Sequence, residues 1–151
     1  MNKNDYAELF EARKLIETTT AELAAIRSDI KDVDLLEEIL SDMSKKNIDI
    51  EEFARLDADF HLNIALLSKN KVLFEVVSTI SDLLRVQVTE KLKRIVKNEK
   101  NLNIIQDLIK EHKNIVMAIK NNNKEMAREH MYNHLDNAEK NYLKTINQKS
   151  K

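Results

Sequence analysis

The 151-residue chain contains no cysteine, no glycine and no proline. Without cysteine, disulfides, zinc–thiolate sites and iron–sulfur clusters are excluded, so any metal must be held by His, Asp or Glu. Without glycine and proline, the ordinary material for tight hairpins, bulges and left-handed helix caps is missing. No apolar run approaches the roughly 18 residues that a membrane-spanning helix needs, and the N-terminal stretch carries charge where a secretory signal is apolar. A soluble, cytoplasmic protein is expected. Nor is there an excess of one charge: 25 Lys and Arg face 26 Asp and Glu. The basic surplus that drives non-specific phosphate binding is absent, so this stretch of chain is not expected to bind DNA by itself.

What remains is rich in Leu, Ile, Glu, Lys and Ala, which are good helix formers. An all-α chain follows, with breaks supplied by Asn, Asp, Ser and Lys, whose side chains tolerate turn geometry or compete for backbone hydrogen bonds. Such clusters stand at Ser28–Asp32, Lys45–Asp49, Ser68–Lys71, Asn98–Asn103 and Asn121–Lys124. They divide the chain into six helical segments, about 4–28, 32–46, 49–68, 70–97, 101–121 and 123–147, with Asn147–Lys151 as a frayed tail. Connections of a few residues make successive helices antiparallel, so an antiparallel bundle of six to seven helices around one core is expected, forming a single domain over 1–151. A domain of this length can bury roughly two-thirds of the surface its unfolded chain exposes.

The informative residues are polar side chains on faces that should be buried, a placement that costs several kcal/mol unless each finds a partner. In the third segment Phe53, Leu56, Phe60 and Ile64 form the apolar stripe, and Asp57 and His61 lie at its inward edge on a wheel of about 100° per residue. At i and i+4, a carboxylate and an imidazole can reach one ion. Asp59 points to solvent. In the fifth segment Leu102, Ile105, Ile109, Ile115, Val116 and Ile119 make the stripe, and His112 lies near its middle. The sixth segment offers Ala127, Met131, Leu135, Ala138 and Tyr142, with His134 on the flank and His130 further out, as a surface residue or an outer partner. In the first segment, among Tyr6, Leu9, Phe10, Ile16, Leu23 and Ala24, Arg13 points inward, and a buried guanidinium needs an anion.

Each of these taken singly has an ordinary explanation. One inward histidine is usually a hydrogen-bonded core residue, an Asp–His pair one turn apart is common on exposed helices, and an inward arginine usually pairs with a protein carboxylate such as Glu17 or Asp57. Convergence of three imidazoles and one carboxylate on core faces of separate helices favours a metal site.

The segment YAELFEARKLIE (Tyr6–Glu17), the segment LDADFHLNIALLSKN ending at Asn70, and EHKNIVMAIKNNNKEMAREHMYNHL ending at Leu135 together resemble the FCD effector-binding domain of GntR-type transcription regulators of the FadR subfamily. The resemblance covers nearly the whole chain. It implies a bundle of six or seven antiparallel helices enclosing a divalent metal held by an aspartate, a histidine one turn later and two further histidines, which match Asp57, His61, His112 and His134. The family's arginine on the first helix matches Arg13, which is expected to help hold an anionic effector. Where the family usually has glycine before the asparagine ending the third helix, this chain has Lys69, and where it often has Gly-Asp it has Asn122 and Asn123. The winged-helix DNA-binding domain such regulators carry upstream has no counterpart within these 151 residues.

Three imidazoles and a carboxylate suit zinc, nickel, cobalt, manganese or iron better than calcium or magnesium. The expected role is a metal-dependent sensor: a small organic acid, such as a hydroxy or sugar acid, takes open metal positions, pairs with Arg13 and shifts helix packing, and a homodimer transmits the change to DNA-binding heads. Two other readings stand beside it. A helical-bundle metalloenzyme would need a general base, and Glu111, at i−1 from His112, is expected to point elsewhere. A metal-free interaction bundle would use the histidines only to satisfy its core.

Overall fold

A computed structural model describes residues 1–97 and 103–149, with no account of the side chains of residues 146, 148 and 149. Six helices follow in order: α1 (Lys3–Arg27), α2 (Ile30–Met43), α3 (Ile50–Leu67), α4 (Lys71–Lys97), α5 (Ile104–Lys120) and α6 (Lys124–Lys149). There is no strand among the described residues. The chain is all-α, as its composition requires.

Asparagine and aspartate start the helices. Asn2 with Asp5, and Asp29 with Asp32, form reciprocal capping boxes that satisfy backbone donors left over at the starts of α1 and α2. The Asn70 side chain accepts from the amides of Val72 and Leu73, and that of Asn123 from Met126. Three turns contain a residue in the left-handed region, at Asn47 (φ 60°), Lys69 (φ 54°) and Asn122 (φ 54°). Each falls in one of the polar clusters read as breaks, two of them where a glycine was expected from the resemblance. Asparagine enters this region at low cost, whereas lysine has no local hydrogen bond to offset the clash of its Cβ.

One expectation falls largely outside the described residues and another is corrected. The break at Asn98–Asn103 lies, except for Asn103, outside the described residues, as does Leu102 of the α5 stripe. Asn147 does not begin a frayed tail, because α6 continues to Lys149, with no glycine or proline to stop it.

Helices α1 and α6 pack along each other in opposite directions, with Lys14 bonded to Asp136 and Glu139 at 2.9 and 2.7 Å and Arg128 to Glu22 at 2.8 Å. Helix α4 returns antiparallel along α3, bringing Lys93 to Glu51 at 2.8 Å. Because α2 turns the chain back, α1 and α3 run parallel: Glu17 meets His61, and Arg27 meets the carbonyl of Ser68. The core falls into three apolar clusters. One, around Phe60, Ile64, Ile115 and Leu135, joins α1, α2, α3, α5 and α6. A second gathers Met43, Phe53, Leu56, Leu92 and Ile109, and a third joins Tyr6 and Phe10 to Ile80 and Leu84. Between the first two clusters lie Asp57 on α3 and His112 on α5, with His61 one turn beyond Asp57 at the edge of the first, so the polar residues occupy a seam in the core.

Candidate metal centre

Helix periodicity places Asp57 and His61 one turn apart on α3, while α5 and α6 each contribute one histidine. The bundle brings all four together: one donor atom from each of Asp57, His61, His112 and His134 lies within 4.8 Å of every other. His112 Nε2 is 2.9 Å from Asp57 Oδ1, His61 Nε2 is 3.7 Å from the same oxygen, and the Nε2 atoms of His61 and His134 are 3.2 Å apart. The three rings are buried, and the Asp57 side chain retains 22% exposure.

The second nitrogens of two rings decide what the first can do. His61 Nδ1 lies 2.6 Å from Glu17 Oε1, and His134 Nδ1 lies 2.9 Å from Glu111 Oε2. An ionised carboxylate only accepts, so each Nδ1 carries a proton and donates it, and each ring turns its Nε2 toward the cluster. Burial lowers the pKa of His134 to about 4, against the opposing pull of Glu111, so that ring is neutral near pH 7. The two Nε2 atoms thus face one another at 3.2 Å, a pairing that requires either a proton or a metal ion between them once both Nδ1 atoms are donors. His112 adds to this. It is fully buried, and neither ring nitrogen has an aligned hydrogen bond, although Nε2 is close to Asp57.

The same groups hold the acids ionised. Burial alone would raise the Glu17 carboxyl, but Arg13 and His61 draw it down to about 2. Burial would also raise Asp57, yet the His112 contact first, and then the neighbouring imidazoles, hold it far below the usual carboxylate range. Burial would lower Arg13, and Glu17 outweighs that, keeping it charged.

Arg13 sits inward, as its position on α1 indicates, and pairs with Glu17 through Nε at 2.6 Å, with its guanidinium carbon 5.1 Å from the Phe10 ring centroid. No hydrogen bond of its terminal nitrogens is found among the described residues. A cavity of 640 Å³ opens beside it between α1, α3 and α4, bordered by Arg13, Asp57 and His61 and by the apolar Val77, Ile80 and Leu84. The donor cluster therefore meets a partly open cavity on its Asp57–His61 side. His130 is half-buried and outside the cluster, and Asp59 pairs with Arg55 at 2.7 Å.

Two residues escaped the sequence reading. Glu111 points away from His112, as i−1 geometry requires, but α6 passes on that side and presents His134 to it; Asn137 donates to its other oxygen at 3.1 Å. Lys91 lies in the inward stripe of α4 after Leu84 and Val88 and donates to the carbonyl of Ala138 at 3.2 Å. Burial lowers its pKa to about 8, the pull of Asp57 opposing. The wheel test that selected His112 would have found this lysine.

A model of the FCD domain family matches residues 8–137. The chain is 32% identical over 139 residues to the HTH-type transcriptional regulator LutR of Bacillus subtilis (strain 168), covering 92% of this chain and 63% of that protein. It is 30% identical over 135 residues to the Uxu operon regulator of Haemophilus influenzae, covering 86% of this chain and 48% of that protein. The chain thus spans less than two-thirds of either relative. Among solved structures it resembles GntR of Streptococcus agalactiae with a TM-score of 0.69 at 25% identity, over 93% of this chain and 61% of that one. It also resembles McbR/YncC of E. coli with a TM-score of 0.80 at 18% identity, over 96% and 67%, a likeness of fold alone.

Proposed function

The chain belongs to the FCD domain family, and from that premise we propose that it is the metal-dependent ligand-sensing domain of a GntR-type transcription regulator, with Asp57, His61, His112 and His134 as the metal ligands. The observation that carries this reading is the 3.2 Å approach of the Nε2 atoms of His61 and His134 beside Asp57 and His112, each of the two rings backed at Nδ1 by a carboxylate. The spacing of the donors fits one ion. Ligands bonded at about 2.0–2.2 Å stand about 2.8–4.4 Å apart, depending on the angle between them; the separations of 2.9, 3.2 and 3.7 Å fall in that range, and all donors lie within 4.8 Å of one another, so small side-chain shifts complete the site. Three imidazoles and a carboxylate match zinc or nickel, and also cobalt, manganese or iron. Such an ion supplies a Lewis-acidic point at which a carboxylate can bind.

The cavity beside Asp57 and His61 is the proposed effector site, and a small organic acid is the proposed effector. Its apolar wall accommodates a carbon skeleton, while the terminal nitrogens of Arg13 offer two directed donors to a carboxylate. DNA contact belongs to a winged-helix domain outside this chain, reached through a homodimer, and the near-balanced charge of these residues fits that division of labour. Against the metalloenzyme reading, Glu111 is engaged by His134 and Asn137, and both relatives are named as regulators.

Elemental analysis of protein prepared without added metal or chelator tests the centre. About one equivalent of a transition metal is expected in the natural chain and almost none in His112→Ala; equal metal in both would refute the assignment. With the metal-loaded protein, hydroxy and sugar acids are expected to raise the melting temperature without being turned over.

A further inference from the structure

Arg13, Glu17 and His61 form one continuous buried line from the cavity to the metal centre. Arg13 Nε donates to Glu17 Oε2 at 2.6 Å, and Glu17 Oε1 accepts from His61 Nδ1 at 2.6 Å. All three residues are buried, at 7%, 1% and 4% exposure. The Glu17 carboxylate is therefore shared between two claimants: a guanidinium that borders the cavity and an imidazole whose other nitrogen faces the donor cluster. The counterpart on the far side differs. Glu111 grips His134 but takes its second hydrogen bond from the neutral amide of Asn137 and borders a surface groove between α5 and α6. Among the described residues, Glu17 is the one of these two carboxylates whose second oxygen is hydrogen-bonded to a charged side chain, and the one that borders the larger cavity.

We propose that Glu17 is a positioning residue that links effector charge to metal affinity, with Arg13 attenuating the electron-donating effect of Glu17 on His61. This rests on the metal-centre reading above. A carboxylate behind a ligating imidazole orients the ring and makes its metal-facing nitrogen more basic. A guanidinium on the other oxygen withdraws part of that charge, in a buried setting where screening is weak. An anion in the cavity that engages Arg13 neutralises the guanidinium, returns charge to Glu17 and tightens the grip of His61 on the ion. By linkage the ion then tightens the hold on the anion to the same degree. Arg13 thus has two roles, contact with the acid and restraint of the metal centre.

The test uses cobalt as the metal, its dissociation constant measured by competition with a chromophoric chelator and its coordination followed by visible absorption. Glu17→Gln removes the charge but keeps an acceptor for His61, and is expected to weaken cobalt about 10–100-fold and to alter the cobalt spectrum. Arg13→Gln removes the attenuating charge, and is expected to tighten cobalt about threefold or more. Opposite signs are the signature, because a merely structural ion pair would weaken the site whichever partner is lost. The double variant, which leaves no unpaired buried charge, is expected to match Glu17→Gln, and this comparison holds even where Arg13→Gln alone does not fold. Cobalt bound equally by the natural chain and Glu17→Gln overturns the relay alone. So does a double variant markedly weaker than Glu17→Gln, because Arg13 would then act without Glu17. No saturable cobalt in the natural chain overturns the metal centre and the relay together.

Discussion

Replacing His112 by leucine should reverse its effect on stability according to whether metal is present. The ring is fully buried against Phe60, with centroids 4.4 Å apart, and neither nitrogen makes an aligned hydrogen bond. A buried polar group without a partner costs about 1–3 kcal/mol, and leucine fills similar space with no polar atom. In excess chelator at pH 8, His112→Leu is therefore expected to be more stable than the natural chain, by less than the full ~1–3 kcal/mol because the 2.9 Å contact with Asp57 is also lost. Metal at a hundredfold excess over its dissociation constant adds about 2.7 kcal/mol to the natural chain and far less to a variant missing one of four donors. At about 2–4 °C per kcal/mol for a domain of this size, the natural chain should gain about 5–10 °C on metal addition and overtake the variant. Thermal unfolding followed by circular dichroism, with zinc and with chelator, reads both states. A variant that keeps the whole zinc-dependent shift, or that is several kcal/mol less stable than the natural chain in chelator, would show that the nitrogens of His112 are satisfied without metal and that the reasoning fails.

Two predictions concern residues outside the centre. Lys69→Gly relieves a left-handed backbone worth about 1–2 kcal/mol at the cost of glycine's extra unfolded-state freedom and a half-exposed ion pair with Asp32 at 3.0 Å. A net gain of up to about 1 kcal/mol is expected in urea unfolding, whereas Asn122→Gly should bring no gain, since it forfeits the side-chain bond to the carbonyl of Ala25 at 2.9 Å. Lys91→Met should stabilise the metal-free chain near pH 7 by roughly 1–3 kcal/mol. Its folded pKa of about 8 lies below the unfolded value of 10.5, so the penalty is complete below pH 8 and fades as the unfolded chain gives up the same proton. The advantage of the variant should shrink between pH 8 and 10.5, and an advantage constant over that range would contradict the burial of this ammonium.

Much of the centre was legible because a helix imposes its own periodicity. Asp57, His61, His112, His134 and Arg13 lie on inward faces by count alone, and the structure turns all five inward. Lys91 was equally legible in this sense, as a lysine in an apolar stripe. Glu111 was not: its angle relative to His112 was judged correctly, but its relation to His134 depends on how far α6 has slid along α5, which no count along one helix contains.

Composition and periodicity alone determined that this chain is helical, where most of its turns fall, and which polar side chains are driven inward. These follow from backbone geometry and local hydrogen bonding, which act over a few residues. Tertiary structure decided which of two acids Arg13 would take, which carboxylate stands behind each histidine, and that a cavity opens on the Asp57–His61 side of the centre. Those outcomes depend on the rotation and offset of packed helices, set by interdigitation of side chains from distant parts of the chain.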